Sequence, residues 1–500
     1  MRFKYLACAI SVLYGGFDSN YAYALDLYMD SKTKQIYAEP GPGRVRLGSF
    51  RQVDKSEATA SDTSKSFQEL EQQLDKKKKE LEALEARLDK KKDSIAAIER
   101  KIDTPTQSTH ANSEKKWYNR LNIRGYTQLR YTQPLSGDRE DLASPGDRSI
   151  QNNQNLLIRR ARVVLSGDIS DHLSLYLQPD FASNLAVTGA TGGHFVQLRD
   201  AYADIFFDKE KTFRARVGQS KVPYGFEILQ SSQNRLALDR ADALNSAVRD
   251  ERDIGIFLYW EPAHIRNRFK YLVSSGLKGS GDYGVIGFGV YNGQGANRFE
   301  VNDQFHLIGR FSYPFQFPNG QFFEVGASAY SGRFVPRTGN MTVNGTTVSG
   351  TEVAKSFDPS EGGIRRGYQD ERVAIHAVLY PQPFGLQAEW NWGRSPELNV
   401  SRQRLETASL SGGYVQAMYK LDHFYGSWIP YAKWQHYDGA EKFSTNAPHV
   451  DLDEVEIGVE WQPIPELEFV LAYSNMNRTN VSNLEQVNAD LLRMQLQWNY

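Results

Sequence analysis

Arginine recurs at alternate positions within several short segments that are rich in β-branched and aromatic residues. In an extended chain this spacing places the guanidinium groups of each segment on one face. Guanidinium keeps its charge and binds phosphate or carboxylate through two parallel hydrogen bonds, so a file of such groups can attract and pass anions. The residues at such positions are Arg124, Arg130, Arg160, Arg162, Arg214, Arg216, Arg310 and Arg372. Acidic residues at comparable positions, such as Asp200 and Glu456, could instead pair with them. Both interpretations stay open at this stage.

Covalent, redox and metal chemistry have little support in the sequence. The chain has neither HExxH nor G-x-S-x-G, and its nine histidines are scattered without metal-ligand spacing. The Gly287-Phe288-Gly289 motif lies among strand-like residues with no helical pattern after it, which argues against a dinucleotide loop. We therefore expect no catalytic residues, no cofactor and no metal, with His306 and His376 as structural residues.

The last ten residues, 491–500, indicate how the arginines are positioned. Apolar and polar residues alternate strictly there, which predicts a β-strand with one apolar and one polar face. The apolar set is Leu492, Met494, Leu496, Trp498 and Tyr500, and the polar set is Arg493, Gln495, Gln497 and Asn499. Such a strand could close a transmembrane barrel or end a soluble sandwich.

The same period of two continues from residue 117 to the C-terminus and gives seventeen candidate strands. The weakest, at 268–277, is merged with 283–292, because single-chain bacterial barrels have an even number of strands. Short turns (170–172, 208–211, 381–383, 463–465) alternate with long polar segments (133–155, 219–252, 334–367, 395–408, 476–489). This segregation is typical of outer-membrane barrels, and a soluble sandwich has no reason for it. The sequence therefore predicts an all-β transmembrane barrel of sixteen antiparallel strands over 117–500, wide enough for an aqueous lumen.

Composition agrees with a barrel. Mean hydropathy is −0.56, and beyond the N-terminus no apolar run reaches the roughly 18 residues that a membrane helix needs. The net charge is −1, so nothing favours binding to nucleic acid.

Four further segments precede the barrel. Residues 1–24 have a basic start, an apolar core that contains the only cysteine, Cys8, and an Ala-Tyr-Ala site, which predicts a secretory signal peptide. Residues 25–65 are predicted to form a short extended segment whose function the sequence does not indicate. Residues 104–116 are predicted to form a polar linker. Between them, 66–103 carry an a/d heptad pattern interrupted only by Lys77 and Lys91. Its apolar positions are Phe67, Leu70, Leu74, Leu81, Leu84, Leu88, Ile95, Ile98 and Ile102. This predicts an N-terminal α-helical coiled coil in the periplasm. Three associated barrels would supply three helices for it.

The barrel region resembles the phosphate-selective porin O and P family. The matching stretches are IRRAR at 158–162, RVGQSKVPYGF at 216–226, VYNGQGA at 290–296, LQAEW at 386–390 and GYVQAMY at 413–419. The resemblance implies a homotrimer in the outer membrane, narrowed by a third loop folded into each barrel, with an arginine-lined entrance that guides anions. It also implies site residues at Arg159, Arg160, Asp180 and Ser232. The two lysines expected in the third loop fall on Ile228 and Gln233, which argues against tight phosphate specificity.

The expected function is passive diffusion of small hydrophilic solutes with a preference for phosphate-like anions. The partners would be two further copies of the chain, outer-membrane lipids and the solutes, and peptidoglycan or periplasmic proteins at the coiled coil. Two alternatives are a structural tether that grips the cell wall through the coiled coil, and a barrel lipase. The lipase would need Ser, His and Asn or Asp to converge on the lipid-facing wall.

Overall fold

The computed structural model describes residues 117–500, apart from 139–141, 143–146, 148, 183–195, 344 and 423–424, and before them only 25–30, 36–37, 44–50 and 79. The predicted signal peptide, coiled coil and linker lie outside the described residues, except for position 79. The chain divides into two units, 1–111 and 112–500. The described part of the first unit is a three-stranded antiparallel sheet of β1 (Leu25–Asp30), β2 (Ile36–Tyr37) and β3 (Arg44–Phe50), with β1 in the centre.

The second unit is a closed antiparallel barrel of sixteen strands, as predicted. A 3₁₀ turn at Trp117–Arg120 leads into it. Its strands are β4 (Leu121–Gly137), β5 (Asn155–Ser170), β6 (Leu173–Asp180), β7 (Gln197–Phe206), β8 (Phe213–Lys221), β9 (Arg252–Trp260), β10 (Ile286–Tyr291), β11 (His306–Gln316), β12 (Phe322–Phe334), β15 (Tyr368–Leu379), β16 (Phe384–Asn399), β17 (Arg404–Tyr419), β19 (Ser427–Ala440), β20 (His449–Ile464), β21 (Leu467–Thr479) and β22 (Gln486–Asn499). The hairpin of β13 (Met341–Val343) and β14 (Thr346–Val348) and a helix at Gly350–Ala354 lie in the connection between β12 and β15, and β18 (Leu421–Asp422) extends the edge beside β19. Since β22 pairs with β4, the sheet has no free edge.

Burial in the barrel is inverted relative to a soluble protein. The largest fully buried side chains include Arg130, Arg372 and Arg493, which point inward. Large apolar side chains on the alternate positions are exposed, for example Ile123 at 75% and Ile457 at 57%. An apolar outer wall around a polar interior is the pattern of a barrel immersed in lipid, and it excludes the sandwich. Among the described residues, no helix combines the length and the apolar character needed to cross a membrane.

The prediction of strand structure at 268–277 is wrong, since most of that segment belongs to a helix at Ala263–Ser274. Ile265, Phe269 and Leu272 are buried in one cluster. Their spacing of four and three residues is the helical period, and the period-two reading overlooked it. The strand that follows is confined to β10.

Two of the predicted long connections are also wrong. The segment at 395–408 reduces to residues 400–403 between β16 and β17, and 476–489 reduces to 480–485 between β21 and β22. These strands extend to 13–16 residues, beyond the roughly 9–11 that cross a membrane. Their far ends carry polar residues on both faces, so the sequence lacks alternation there. The other three predicted long connections remain long, at 138–154, 222–251 and 335–367. The strands they join meet them at one end of the barrel, here called the loop end, and the opposite end is called the turn end.

Gly125 and Tyr500 join the first and last strands at the turn end. Gly125 N–H donates to Tyr500 O at 2.5 Å, and Tyr500 N–H donates to Gly125 O at 3.0 Å. A Cβ added at Gly125 would lie 2.4 Å from Cε2 of the Tyr500 ring. We expect Gly125→Val to destabilise barrel closure by about 1–3 kcal/mol through overpacking. Gly309→Val, at a β11 position with no atom within 4 Å of the new Cβ, is the matched control. Equal unfolding temperatures of the two variants on semi-native gels would contradict this role.

Candidate functional site

The connection between β8 and β9, residues 222–251, folds into the lumen and is here called the third loop. Its apolar residues, among them Tyr224, Ile228 and Leu244, pack in one buried cluster with inward side chains such as Phe257 and Tyr437, which come from β9 to β12, β15, β17, β19 and β20. Ile228 is fully buried in that cluster. A side chain at position 228 therefore serves the core and does not reach the lumen, consistent with the absence of a lysine there.

Two of the arginines selected from the sequence hold this loop in place. Arg310 Nη1 donates to Gly225 O at 2.7 Å. Arg372 Nη1 donates to Ser246 Oγ at 2.8 Å and to Ala243 O at 3.1 Å. The Arg310 and Arg372 guanidinium groups are thus loop anchors, since both are buried against backbone carbonyls.

The tip of the third loop crosses the lumen and is bonded to β4 and β22. Gln128 Nε2 donates to Ser232 O at 2.8 Å, and Gln497 Nε2 donates to Gln233 O at 3.0 Å. The Ser232 hydroxyl accepts from Arg162 Nη1 at 3.0 Å and is 2.9 Å from the Tyr126 hydroxyl. Gln233, the second position where the resemblance expects a lysine, is occupied with amide contacts to the barrel wall.

A buried charge cluster fixes the loop beside this tip. Arg130 donates to Asp239 at 2.8 Å and to Asp147 at 3.1 Å. Arg493 bonds to the same two carboxylates and lies 3.3 Å from Glu456. The cluster joins β4, β20 and β22 to the third loop and to the connection after β4. Burial opposes ionisation of Asp147, but Arg493 and Arg130 outweigh it and hold the pKa of this carboxyl well below its ordinary value.

Two cavities flank the third loop. The loop-end vestibule has a volume of about 700 Å³ and is lined by Arg159, Arg160 and Arg162 of β5 together with Arg199, Arg240 and Arg249. The turn-end vestibule has a volume of about 520 Å³ and is lined by Gln233, Lys278, Glu460 and Glu468 among others. Lys278 lies in the connection after β9 and donates to Glu460 at 2.5 Å across the lumen. The polar lumen is thus divided by the third loop into two chambers.

Most of the remaining selected arginines are paired with carboxylates. Arg162 bonds to Asp180 at 2.7 Å, Arg216 to Asp204 at 2.8 Å and Arg214 to Asp282 at 2.7 Å. Arg159 lies 3.2 Å from Asp147, and Arg124 is exposed at the turn end, 3.4 Å from the Tyr176 hydroxyl. For Arg159, Arg162, Arg214 and Arg216 the alternative of pairing with acidic neighbours describes the geometry.

Arg160 differs from the other arginines of β5. Its side chain is 4% exposed and lines the loop-end vestibule. Nη1 donates to Gln128 Oε1 at 2.8 Å, but Nε has no hydrogen-bond partner, and within the described part of the chain no carboxylate lies within 4.0 Å of the guanidinium. A buried cation without a counter-ion favours an anion from solution.

The charge balance of the loop-end vestibule is positive. Seven arginines line it, against the four carboxylates of Asp239, Asp250, Glu251 and Glu441, so its formal charge is 7 − 4 = +3. Sequence reasoning missed Arg199, Arg240, Arg249 and Arg337, because the last three lie in loops without periodicity. The side chains that line this vestibule therefore carry a surplus of positive formal charge.

Glu441 makes this charge dependent on pH. Burial and Asp242 raise the pKa of Glu441 to about 7, opposed by Arg372, Arg478 and Lys442. Because the carboxylate is ionised above this value and neutral below it, the formal charge of the vestibule rises from +3 to +4 on acidification.

We expect the permeability ratio of chloride to potassium to increase up to about twofold between pH 8 and pH 6. Reversal potentials in a KCl gradient measure it. Glu441→Gln should remove the change, and Glu485→Gln, in the exposed turn before β22, should keep it. An identical pH profile in wild type and Glu441→Gln would contradict the assignment.

Among the described residues, Ser312, His376 and Glu324 resemble a lipase triad, but their geometry is not that of one. Ser312 Oγ lies 3.3 Å from His376 Nε2, but Glu324 approaches the same nitrogen at 3.4 Å, so the carboxylate does not orient the ring through Nδ1. Ser312 and Glu324 are fully buried inside the barrel. His436, Asp451 and Asp453 offer ligand atoms within 4.8 Å of one another, but their alternation places them on the outer wall.

The closed sixteen-stranded barrel, its apolar outer wall and its polar lumen define an outer-membrane β-barrel of the porin type. The family model of phosphate-selective porin O and P matches residues 130–500, and the chain belongs to that family. The resemblance found in the sequence is thereby confirmed.

The solved structures that this chain resembles are remote in sequence. The outer membrane channel DcaP of Acinetobacter baumannii is 12% identical with a TM-score of 0.46, covering 76% of this chain and 97% of its own. OmpF of Salmonella typhi, in complex with daunomycin, is 14% identical with a TM-score of 0.46 over 76% and 97%. An anion-selective porin from Comamonas acidovorans is 9% identical with a TM-score of 0.42 over 76% and 99%. No curated protein matches the chain.

Proposed function

We propose that the protein is a diffusion porin for small hydrophilic solutes that prefers anions without binding phosphate tightly. The observation that carries this proposal is Arg160, a buried guanidinium without a carboxylate partner at the floor of a chamber of formal charge +3. The two third-loop positions where family members carry lysine are a core isoleucine and an amide-bonded glutamine, so the ammonium groups for tight phosphate binding are missing.

Planar-bilayer recording tests the proposal. The full-length protein should give stable conductance steps, and a KCl gradient should give a reversal potential on the anion side. Addition of phosphate should change the current only in proportion to its share of the anions. Absence of conductance would reject the porin and favour the tether, and half-block of chloride current by micromolar phosphate would reject the weak-affinity part.

We further propose that three chains associate and that the coiled coil of residues 66–103 projects into the periplasm and joins them. Both termini of an even-stranded barrel lie at the turn end, which faces the periplasm in outer-membrane barrels. Burial of the a/d seam among three helices would stabilise the trimer in addition to the contacts between the barrels.

Deletion of 66–103 is expected to lower the temperature at which the trimer dissociates, while the unfolding temperature of the single barrel stays constant. Semi-native gel electrophoresis measures both. A matched variant with Lys77→Leu and Lys91→Leu, which completes the d positions, should raise the dissociation temperature. An unchanged dissociation temperature in the deletion variant would contradict the proposal.

A further inference from the structure

The loop-end vestibule has a second wall of a different chemical kind. Met341, Phe443 and Val481 also line it, and they come from three separate connections at the loop end, whereas Arg159, Arg160 and Arg162 belong to β5. Each of the three is half-buried, with part of its side chain left uncovered. The chamber therefore offers apolar surface together with guanidinium groups.

These apolar side chains are held in fixed positions. Phe443 packs edge-on against Phe334 with ring centroids 5.2 Å apart. Val481 packs on the buried cluster of the third loop, and Met341 packs on a second cluster that includes Val348 and Leu405. Because close packing holds these side chains in place, their uncovered faces form a persistent apolar surface in the vestibule.

The guanidinium side of the vestibule has N–H groups without hydrogen-bond partners among the described residues. Nε of Arg160 and Nε of Arg199 are buried and lack partners, although both side chains are at least nine-tenths buried and line the vestibule. Buried N–H groups are normally bonded, and a carboxylate oxygen would satisfy them with charge assistance. An inorganic anion would satisfy the same donors but would leave the apolar wall in contact with water.

We infer that the loop-end vestibule binds organic anions in which a carboxylate is attached to an apolar, ring-sized body, with the carboxylate on Arg160 and the body against Phe443 and Met341. This inference rests on the proposed anion-preferring porin and names its substrate class. The volume of about 700 Å³ is within the roughly 300–1,000 Å³ of sites that hold small organic molecules. The extra affinity over a small carboxylate comes from covering the apolar wall.

Block of the chloride current through the full-length channel by three added anions tests the inference. Acetate, benzoate and phosphate are added in turn to the bilayer compartment that faces the loop end of the channel. The concentration of each anion that blocks half of the current is measured. We expect benzoate to block at a concentration about tenfold lower than acetate, with phosphate no better than acetate. Phe443→Ser should reduce the benzoate-to-acetate ratio to about threefold and leave acetate unchanged. Met341→Gln gives a second, independent reduction if the first variant does not fold.

Equal block by benzoate and acetate in a channel that still shows an anionic reversal potential would overturn the inference and leave the proposed function intact. Preferential block by phosphate would overturn it in favour of an inorganic-anion site. A channel without anion preference would remove the proposed function itself. Unchanged benzoate block in both Phe443→Ser and Met341→Gln would show that the apolar wall is not the contact and would also overturn the inference.

Discussion

Replacement of Arg160 by glutamine is expected to lower the permeability ratio of chloride to potassium roughly threefold, which corresponds to about 0.7 kcal/mol. Among the described residues no carboxylate lies within 4.0 Å of the Arg160 guanidinium, which distinguishes it from the other β5 arginines, and it lines the loop-end vestibule together with residues of the third loop. Removal of its charge lowers the attraction for anions where water is scarce and screening is weak. Arg160→Glu should lower the ratio further than Arg160→Gln, because it changes the formal charge of the vestibule by two units, from +3 to +1.

Arg124→Gln is the matched control for this change. It removes the same charge from the lumen, but Arg124 is exposed at the turn end, where solvent and salt screen it. Its reversal potential should stay within experimental error of wild type. If Arg124→Gln and Arg160→Gln shift the reversal potential equally, selectivity depends on total lumen charge and the special role of Arg160 is wrong. Unchanged single-channel conductance in both variants would confirm that the pore remains folded.

The barrel could be predicted from the sequence because its determinants are local. The alternation in residues 491–500 and the short turns of two to four residues specify strand direction and side-chain facing without knowledge of tertiary contacts. The requirement for an even number of strands then reduced the seventeen candidates to sixteen, because the weakest was merged with the candidate after it. The same method failed at Ala263–Ser274, where apolar residues at helical spacing are interrupted by Tyr and Val and so read equally as a weak strand.

The partners of the arginines could not be predicted, because they are set by contacts between distant parts of the chain. Arg162 and Asp180 are neighbours in one hairpin, and their pairing is within reach of sequence reasoning. Arg493 and Asp147 are separated by 346 residues, and Arg372 bonds to Ser246 of the third loop, 126 residues away. Sequence spacing therefore identified inward-facing cations, while the fold decides which of them stay available to a solute.

The contacts of the buried arginines divide them into two groups. Arg130, Arg310, Arg372 and Arg493 bond the third loop or its charge cluster. Arg160 bonds to Gln128, and among the described residues no carboxylate lies within 4.0 Å of its guanidinium. Under the proposed function, the first group fixes the constriction and Arg160 attracts the solute.

Replacement of Arg493 by methionine is expected to have the largest effect on stability. Methionine keeps much of the apolar stem but leaves Asp147, Asp239 and Glu456 with one cation fewer in a buried cluster. Loss of one partner from a buried ion pair costs about 3–5 kcal/mol. We expect a lower unfolding temperature on semi-native gels and noisier open-channel current, because the third loop loses a bond beside its tip.

Two comparison variants separate the charge cluster from the loss of an arginine as such. Arg402→Met breaks an exposed pair with Glu406, whose side chains are 68% and 35% exposed, and should change stability by less than about 1 kcal/mol. The double variant Arg493→Met with Asp239→Asn should recover part of the lost stability, because one uncompensated carboxylate is removed with the cation. A single variant as stable as Arg402→Met would contradict the role of the cluster.

The pH dependence of this cluster follows from the lowered pKa of Asp147. Its contribution to stability is complete above the ordinary pKa of an aspartate and is lost only as the pH falls through the lower folded value. In the wild type the bonds of Asp147 should therefore persist at pH 4.5, whereas burial raises the pKa of Asp239 in the same cluster, so an increase in open-channel noise between pH 7 and pH 4.5 would be assigned to Asp239. Arg493→Met removes the cation that lowers the Asp147 pKa most, so its current noise should increase with pH as the carboxylates ionise with one cation fewer beside them. Noise that is independent of pH in Arg493→Met would show that the third loop is held by its other bonds, those to Arg310 and Arg372 among them.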